Sequence, residues 1–322
     1  MKAWWLFSLA ACGRFDFAPL GAVVDAPPDA AIDALPPPPG MIVVPVPDPT
    51  TFDFQFGTPW KRATLTRAFY LDRTEVTVGR WKAWLDAGMP MPCTTGTCAL
   101  DPTGHYAAMQ WQASWNTDAG VNNFATDCSS PWGINGSTYP IGDATLPINC
   151  MTWSQAVAFC AWDGGKRLPT MVEWNFEARG GDHRRYVWGD DAPDCAHAIF
   201  DSGAPSFCGF PVPVGSAPAG ASVHGALDLG GSVWEWGWDA TMTGVLVNGV
   251  GAPDEVTDGA VDYTGIVVAD PSTSSHAIFG GEWGEAIDNL DLIDGTHHAP
   301  GGAWGATSAL TPVGLRCAKT AP

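Results

Sequence analysis

Between Val187 and Leu315 the sequence contains no lysine or arginine, although seventeen aspartates and glutamates lie there. The whole chain is also poor in charge, since 15% of its 322 residues are charged and the formal net charge is −19. Without a basic surface the chain cannot offset a phosphate backbone, so we expect no nucleic-acid partner. The acidic stretch predicts a solvated face or, where carboxylates cluster, oxygen ligands for a hard cation.

The first twelve residues, MKAWWLFSLAAC, have the features of an export signal. Lys2 is followed by a short apolar run, and Leu9-Ala10-Ala11-Cys12 resembles the lipobox of bacterial lipoproteins. Residues 1–12 are therefore predicted to be a lipoprotein signal peptide, with Cys12 as the lipidated residue. The predicted location is the bacterial cell envelope, lipid-anchored at the outer membrane or periplasmic face. The alternative is an ordinary signal peptide with a chance cysteine.

Two kinds of segment are missing after Cys12. The sequence has no apolar run of about 18 residues, which a membrane-spanning helix needs, so the lipid is the only membrane attachment expected. It also has no CxxC pair or Cys/His cluster, which argues against a structural zinc site. The eight cysteines beyond Cys12 favour disulfides in an oxidising compartment. Short loops favour the pairs Cys93–Cys98 and Cys195–Cys208.

The chain divides by composition into a linker and a domain. Residues 13–50 contain ten of the 28 prolines, interleaved with alanine and aspartate, which predicts a disordered linker. Residues 51–322 are predicted to form the folded domain. The 38 glycines of the whole chain and its short apolar runs predict an α+β fold with little regular secondary structure.

Three helices are predicted from their capping residues. Thr77 precedes a helix that reaches about Asp86, and Thr152 with Gln155 forms a capping box for a helix ending near Gly164. Thr170 begins the third, which ends at a Gly-Gly pair.

Several motifs, in this order, resemble the formylglycine-generating enzyme family, also called the sulfatase-modifying factor domain family. They are FYLDRTEVTVGRW (69–81), TWSQAVAFCAW (152–162), GKRLPTMVEWNFEARGG (165–181), LGGSVWEW (229–236), FGGEW (279–283) and GLRCA (314–318). The resemblance implies a C-type-lectin-like α+β fold stapled by disulfides. It also implies a bond between Cys160 and Cys317, after which Cys128 and Cys150 remain as the fourth pair.

The stretch GGSVWEWGWD (230–239) places Glu235 between tryptophans. Family members bind calcium through the corresponding segment. The resemblance therefore implies a calcium site formed by the side chains of Asp228 and Glu235 and the carbonyls of Gly231 and Val233. Oxygen ligands and a glycine-rich turn suit a hard cation. The alternative is a Glu235 that accepts hydrogen bonds from backbone N–H groups without an ion.

The family's oxidase chemistry depends on two cysteines that bind copper(I) between the GGSW-like and GFRC-like motifs. The corresponding segment here, Glu282 to Arg316, contains no cysteine, and Glu282 replaces the motif's serine. Copper is therefore not expected, because copper(I) selects soft thiolate ligands.

The sequence predicts a binding or accessory module for an envelope protein or a glycan, without assigned catalytic residues. The loop surface over roughly residues 240–312 would present the ligand site. Tryptophans at 81, 111, 115, 132, 238 and 304 could stack on sugars, although core packing is the simpler interpretation. The alternative function is a formylglycine-generating-type oxidase, or a related modifying enzyme, that acts on an exported protein with other residues.

Overall fold

The helices and strands of the chain are short, as its glycine and proline content predicts. The structure, a computed structural model, describes residues 36–47, 49–54, 61–120, 137–139, 143–201, 208, 211–241, 246–247, 250–251, 258–265, 275–284, 302–305 and 313–322. The helices are α1 (Val78–Asp86), α2 (Asn116–Ala119), α3 (Trp153–Trp162) and α4 (Met171–Arg179), with 3-10 turns at Ala113–Trp115 and Pro218–Gly220. The strands are β1 (Met41–Val44), β2 (Thr50–Phe54), β3 (Lys61–Leu65), β4 (Phe69–Asp72), β5 (Thr97–Ala99), β6 (Gln110–Gln112), β7 (Trp234–Thr241), β8 (Leu246–Val247), β9 (Val250–Gly251), β10 (Ala260–Val261), β11 (Ser275–Phe279), β12 (Gly302–Gly305), β13 (Val313–Gly314) and β14 (Ala318–Thr320).

The three helices predicted from capping residues are confirmed. Thr77 accepts a hydrogen bond from the backbone N–H of Arg80 at the start of α1. Thr152 and Thr170 each form a complete capping box, at the starts of α3 and α4. Gly180 ends α4 with φ of 63°, a left-handed conformation that glycine adopts without strain.

Two small sheets carry most of the chain's long-range pairing. One has the order β1-β4-β14, and the other has the order β12-β11-β7-β13. In the second, β11 runs antiparallel to β7 and β13 runs parallel to it. Strands β10, β3 and β2 form a further sheet, and β5-β6 and β8-β9 are two-stranded.

Strand β7 explains the run of tryptophans in GGSVWEWGWD. Because successive side chains of a strand point to opposite faces, Trp234, Trp236 and Trp238 share one face and Glu235 lies on the other. All three indoles belong to the larger hydrophobic core, which includes residues of α1 and α3. The opposite face approaches α4, where the Trp174 indole N–H donates to Glu235 at 3.0 Å.

Four of the tryptophans considered for a glycan surface are core residues. Trp81, Trp111, Trp115 and Trp238 are buried in the larger core. Nothing is described of the side chains at 132 and 304. The simpler interpretation, core packing, is therefore confirmed at the four described positions.

The structure contains three of the predicted disulfides. They are Cys93–Cys98, Cys195–Cys208 and the long-range bond Cys160–Cys317, which joins residues 157 positions apart. Cys150 is buried, and its predicted partner at position 128 lies outside the described residues. That fourth pairing stays a prediction.

Folded structure begins earlier than the proline content predicts. Strand β1 lies inside the predicted linker, residues 13–50, yet it pairs with β4 from Met41 to Val44. The residues from Leu35 onward belong to the compact unit. The reason is local, since residues 40–44 form a proline-free apolar run between Pro39 and Pro45 that can donate to a sheet. Within the described residues, we find no helix that is long and apolar enough to cross a membrane.

Candidate functional site: a buried ionic centre

Strand pairing brings Arg316 to Glu235, which is 81 positions away in the sequence. Gly314 of β13 is the register partner of Glu235 in β7, and Arg316 follows it by two residues. Next along the chain, β14 pairs with β4, so Arg316 lies where the two main sheets meet. Both side chains are completely buried.

The guanidinium of Arg316 binds both oxygens of the Glu235 carboxylate. Its Nε lies 2.8 Å from Oε1 and 2.7 Å from Oε2, and its Nη2 lies 2.6 Å from Oε1. The remaining donors reach backbone carbonyls, at 3.1 Å for Asp72 and 2.9 Å for Leu227. Because every side of the guanidinium is used, Arg316 holds Glu235 and two chain segments at once.

The predicted metal ligand Asp228 lies beside this pair. It is buried, adopts φ of 58°, and accepts a hydrogen bond from the backbone N–H of Gly215. Burial raises the pKa of Asp228, and the hydrogen bond from Gly215 and then the nearby Arg316 oppose that rise. The Asp228 carboxyl group is therefore largely shielded from solvent.

A third acid, Glu75, belongs to the same centre and was not singled out from the sequence. Burial first, and then repulsion from Asp228 and Glu235, raise the pKa of Glu75 well above its usual value. The carboxylate faces the Ser232 hydroxyl. The Asp228 carboxyl group is its second polar neighbour.

The calcium ligands implied by the family resemblance fit this structure only in part. Gly231 and Val233 lie in the turn before β7, and a Cβ at Gly231 would lie 2.3 Å from the Ile199 carbonyl oxygen, so the turn requires glycine. Asp228 suits a cation, but Glu235 does not, because both of its oxygens bind Arg316. Neither the ion pair nor the indole was expected as the partner of Glu235.

One other group of potential ligands belongs to an ion-pair network. Among the described residues, Asp72, Asp163 and Cys317 have ligand atoms within 4.8 Å of one another. Cys317 is in a disulfide, and the two carboxylates bind Lys166 at 3.0 and 2.7 Å. Arg80 also binds both acids. The three residues are thus already satisfied without a metal ion.

A histidine–carboxylate pair at the end of α4 was also missed from the sequence. Glu177 is buried, and its Oε2 lies 2.6 Å from Nδ1 of His224. Its other oxygen accepts from the Ser222 hydroxyl. In a Ser–His–acid triad the histidine lies between the other two residues, but here the carboxylate does. The arrangement orders the loop of residues 222–224 and lacks the geometry of an activated serine.

Two buried titratable groups, Asp239 and His276, lie on β7 and β11 respectively. Burial raises the pKa of Asp239 to about 7, and its carboxylate accepts from the Met171 N–H at the start of α4. Burial lowers the pKa of His276 to about 3, and its ring stacks on Trp153 with centroids 3.8 Å apart. His276 is therefore a neutral member of the aromatic core at neutral pH.

The described cysteines offer little to a soft metal ion. Six of them form three disulfides and so have no thiolate to donate. Glu282, at the position of the motif's serine, is buried. Of the segment from Glu282 to Arg316, the described residues are 282–284, 302–305 and 313–316. Cys12 also lies outside the described part of the chain.

Comparison with curated proteins gives relatives that differ in activity. The hercynine oxygenase of Mycolicibacterium thermoresistibile is 32% identical over 180 residues, which are 52% of this chain and 35% of that protein. The formylglycine-generating enzyme of Thermomonospora curvata is 37% identical over 101 residues, 28% of this chain and 32% of the enzyme. The inactive C-alpha-formylglycine-generating enzyme 2 of Mus musculus is 39% identical over 98 residues, 28% of this chain and 31% of that protein. The match to this chain spans about a third of each relative's length.

A structural comparison and a family comparison both agree with the resemblance that the sequence motifs indicated. The structure of PvdO from Pseudomonas aeruginosa superposes with a TM-score of 0.52 at 18% identity, covering 87% of this chain and 94% of PvdO. At that identity the likeness concerns the fold alone. Residues 29–321 match the sulfatase-modifying factor enzyme 1-like domain. Because that match extends over most of the sequence, the chain belongs to the sulfatase-modifying factor family and has its C-type-lectin-like α+β fold.

Proposed function

We propose that the chain is a lipid-anchored module of the bacterial cell envelope that binds an exported protein or a glycan and has no copper oxidase activity. The observation that carries the proposal is the cysteine-free segment from Glu282 to Arg316. In the family resemblance this segment supplies both copper ligands. A copper(I) centre without thiolates would lack the ligands that this ion prefers.

The disulfides support the same proposal. A displaced copper site would need two thiolates from elsewhere in the chain. Cys160 and Cys317 are buried and bonded to each other, and Cys93–Cys98 and Cys195–Cys208 are also bonded. Recruiting any of these cysteines would require the reduction of a bond that holds the fold together.

The alternative is an enzyme of the same family that uses other ligands. Two of the matched relatives are named as enzymes, whereas the mouse relative is named inactive. About two thirds of each relative lies outside the match, so its name alone does not decide what this chain does. A reactive centre distinguishes the two functions, since a catalytic metal or a free thiol would favour the enzyme.

A surface groove on the described part of the molecule has suitable chemistry for a ligand. The groove has a volume of about 370 Å³ and is lined by Asp182, His183, Arg184, Trp188, Gly189 and Asp190. Arg184 is fixed by Asp182 through two contacts of 2.7 Å. An aromatic ring beside ordered charged groups suits a glycan, which needs an apolar face and hydrogen-bonding partners. The predicted loop surface, residues 240–312, lies largely outside the described residues.

The oxidase alternative is tested directly with a sulfatase-type peptide. The full chain carrying Cys12→Ala would be incubated with copper, oxygen, a reductant and the peptide, beside a working family enzyme. Mass spectrometry would then measure conversion of the peptide's cysteine to formylglycine. Our proposal predicts no conversion by this chain and full conversion by the control. Conversion above the level without protein would contradict the proposal.

The lipid anchor is tested separately by fractionation. The wild-type chain should occur in the membrane fraction of an expressing bacterium and carry a lipid mass on Cys12. The variant Cys12→Ala should occur in the soluble fraction. An equal distribution of the two proteins would contradict lipid anchoring and would leave the oxidase test unaffected.

A further inference from the structure

The surface groove has a wall that is ordered by a short turn after α4. Tyr186 and Gly189 exchange two backbone hydrogen bonds, in which the Tyr186 N–H donates at 2.8 Å and the Gly189 N–H donates at 3.0 Å. The Trp188 indole N–H donates to the Asp191 carbonyl at 3.0 Å, and the indole stacks on the Tyr186 ring with centroids 5.1 Å apart. Because these contacts exist without a ligand, little conformational entropy is lost when a ligand binds.

Arg184 keeps two hydrogen-bond donors for a ligand in this groove. A guanidinium has five N–H groups. Nε and Nη2 of Arg184 each donate to one carboxylate oxygen of Asp182 at 2.7 Å, and Nη1 donates to the Val187 carbonyl at 3.2 Å. Within the described residues these three bonds are the ones that the guanidinium makes, so one N–H on Nη1 and one on Nη2 remain. The ion pair with Asp182 also balances the charge of Arg184.

Asp190 supplies the groove with a hydrogen-bond acceptor beside these donors. Its Oδ1 accepts from the backbone N–H of Arg185 at 2.9 Å, and its side chain is exposed. In the described part of the chain no basic side chain forms an ion pair with Asp190. Hydrogen bonds to Asp182 first, and also the nearby charge of Asp190, raise the pKa of Arg184. The groove therefore contains two carboxylates and one guanidinium.

We propose that the groove binds an uncharged saccharide through two adjacent hydroxyl groups, which donate to Asp190 and accept from Arg184, while the apolar face of the sugar packs against Trp188. A hydroxyl group both donates and accepts a hydrogen bond, so a hydroxyl pair satisfies both kinds of partner. A carboxylate or phosphate can only accept, and an ammonium group can only donate. The inference rests on the proposed binding function and names the ligand class of the groove.

The size and the charge of the groove narrow this class further. Its volume of about 370 Å³ lies near the lower end of the ~300–1,000 Å³ that is typical of small-molecule sites, so it fits one or two sugar rings at the end of a longer glycan. An acidic sugar would meet the carboxylates of Asp182 and Asp190 and a single guanidinium, so like charges would oppose its binding. His183, the other titratable group of the groove, faces a further acid, Asp53, at 3.6 Å.

Simple sugars that differ by one group test this ligand class. The methyl glycosides of glucose, mannose and galactose would be titrated into the isotope-labelled full chain carrying Cys12→Ala. NMR would follow the indole N–H of Trp188 and the amide of Gly189. We expect at least one of the three to shift both signals, with an affinity that does not change with salt, because the ligand carries no charge. Its uronic-acid form and its protonated amino form should each bind at least fivefold more weakly.

Two matched variants test the role of Asp190. Asp190→Asn keeps an oxygen that can accept from the Arg185 N–H but removes the negative charge, and it should weaken binding of the neutral sugar about tenfold. Asp191→Asn makes the same change at the next residue, which does not line the groove, and it should leave the affinity unchanged. Equal melting temperatures would show that both variants fold as the wild type does. Equal affinities of the two variants would overturn the assignment of Asp190.

The outcomes separate this inference from the proposed function. If none of the three neutral glycosides shifts the Trp188 and Gly189 signals, the groove is not a saccharide site. Tighter binding of the uronic-acid or amino form, or an affinity that falls with salt, would contradict an uncharged ligand. Binding of a neutral sugar that Asp190→Asn does not weaken would overturn the groove assignment and leave the proposed binding function standing. The oxidase assay and the fractionation test that function with other readouts.

Discussion

Arg316 and Glu235 form a buried ion pair in which Nε and Nη2 of the arginine reach both carboxylate oxygens at 2.6 to 2.8 Å. The pair joins the start of β7 to the segment between β13 and β14. Since both residues are fully buried, each neutralises a charge that would otherwise be isolated from water. The segment from Val187 to Leu315 has no lysine or arginine, so the positive charge beside Glu235 comes from Arg316, near the C-terminal end of the sequence.

Breaking this pair should destabilise the fold strongly. We expect Arg316→Gln to lower the free energy of unfolding by about 3–5 kcal/mol, because Glu235 would remain buried without a counter-charge. Urea denaturation at neutral pH measures the loss. The control is Arg62→Gln, since Arg62 pairs with Asp53 at 3.2 Å on a side chain that is 61% exposed. That variant should lose less than about 1 kcal/mol. Similar losses in both variants would contradict a structural role for Arg316.

The long-range disulfide should matter more than the local one. Cys160 and Cys317 close a loop with a sequence separation of 157, against 5 for Cys93 and Cys98. Chain entropy predicts losses of about 5 kcal/mol for Cys160→Ala/Cys317→Ala and about 2 kcal/mol for Cys93→Ala/Cys98→Ala. Urea denaturation of the two double variants tests the order. If Cys160→Ala/Cys317→Ala lost less stability than Cys93→Ala/Cys98→Ala, the long-range disulfide would not act mainly by lowering the entropy of the unfolded chain.

Gly237 should be required for packing between β7 and β11. A Cβ at this position would lie 2.4 Å from Cε2 of Phe279, whose ring stacks on Trp174 with centroids 5.0 Å apart. Gly237→Ala should therefore cost about 1–3 kcal/mol of stability through overpacking. The variant Gly237→Ala/Phe279→Leu should lose less than the sum of the two single variants, because leucine lacks the clashing ring atoms. Strict additivity in thermal or urea unfolding would contradict this contact.

Asp239 should make stability fall as the pH rises from about 4 to 7. Its pKa is about 7 in the fold and 3.8 in an unfolded chain, so in this window unfolding releases a proton. The effect is complete above pH 7 and amounts to a few kcal/mol. His276 has the opposite effect. Its pKa is about 3 in the fold and 6.5 in an unfolded chain, so the folded state becomes less stable as the pH falls through this range. The difference between Asp239→Asn and wild type isolates the Asp239 contribution.

The pH dependence of the Asp239→Asn variant is compared with that of a control variant. Asp86→Asn changes an exposed acid on α1 and should not alter the pH dependence. Urea unfolding measured in half-unit steps from pH 4 to 8 should give a gap between wild type and Asp239→Asn that grows toward pH 7. A gap that stays constant would mean that Asp239 ionises in the fold as it does in water.

Local features of the fold could be predicted from the sequence. The helix starts at Thr77, Thr152 and Thr170 depend on hydrogen bonds within three residues, so their signals are contiguous. The alternation of tryptophans with Glu235 depends only on the two-residue period of a strand. The proline count did not indicate strand β1, because β1 forms only by pairing with β4, and the paired residues, from Met41–Asp72 to Val44–Phe69, are 31 to 25 positions apart.

The composition of the buried centre could not be predicted in the same way. Glu75, Asp228 and Arg316 are distant in the sequence, and only the register of β13 on β7 and the turns beside them bring them together. A signal did exist for Arg316. No lysine or arginine occurs from Val187 to Leu315, so a buried acid in that region needs a cation from elsewhere, and Arg316 comes next. Nothing comparable marked Glu75, which lies within the motif FYLDRTEVTVGRW (69–81).

Copper(I) binding by the intact chain tests the central claim most directly. The full chain with Cys12→Ala, its disulfides oxidised, would compete anaerobically with a chromophoric chelator for copper(I), beside a working formylglycine-generating enzyme. Our account predicts that the chelator keeps all the copper in the presence of this chain, while the control enzyme removes it. Retention of stoichiometric copper by this chain, with an affinity near that of the control, would contradict the account and indicate an oxidase with unfamiliar ligands.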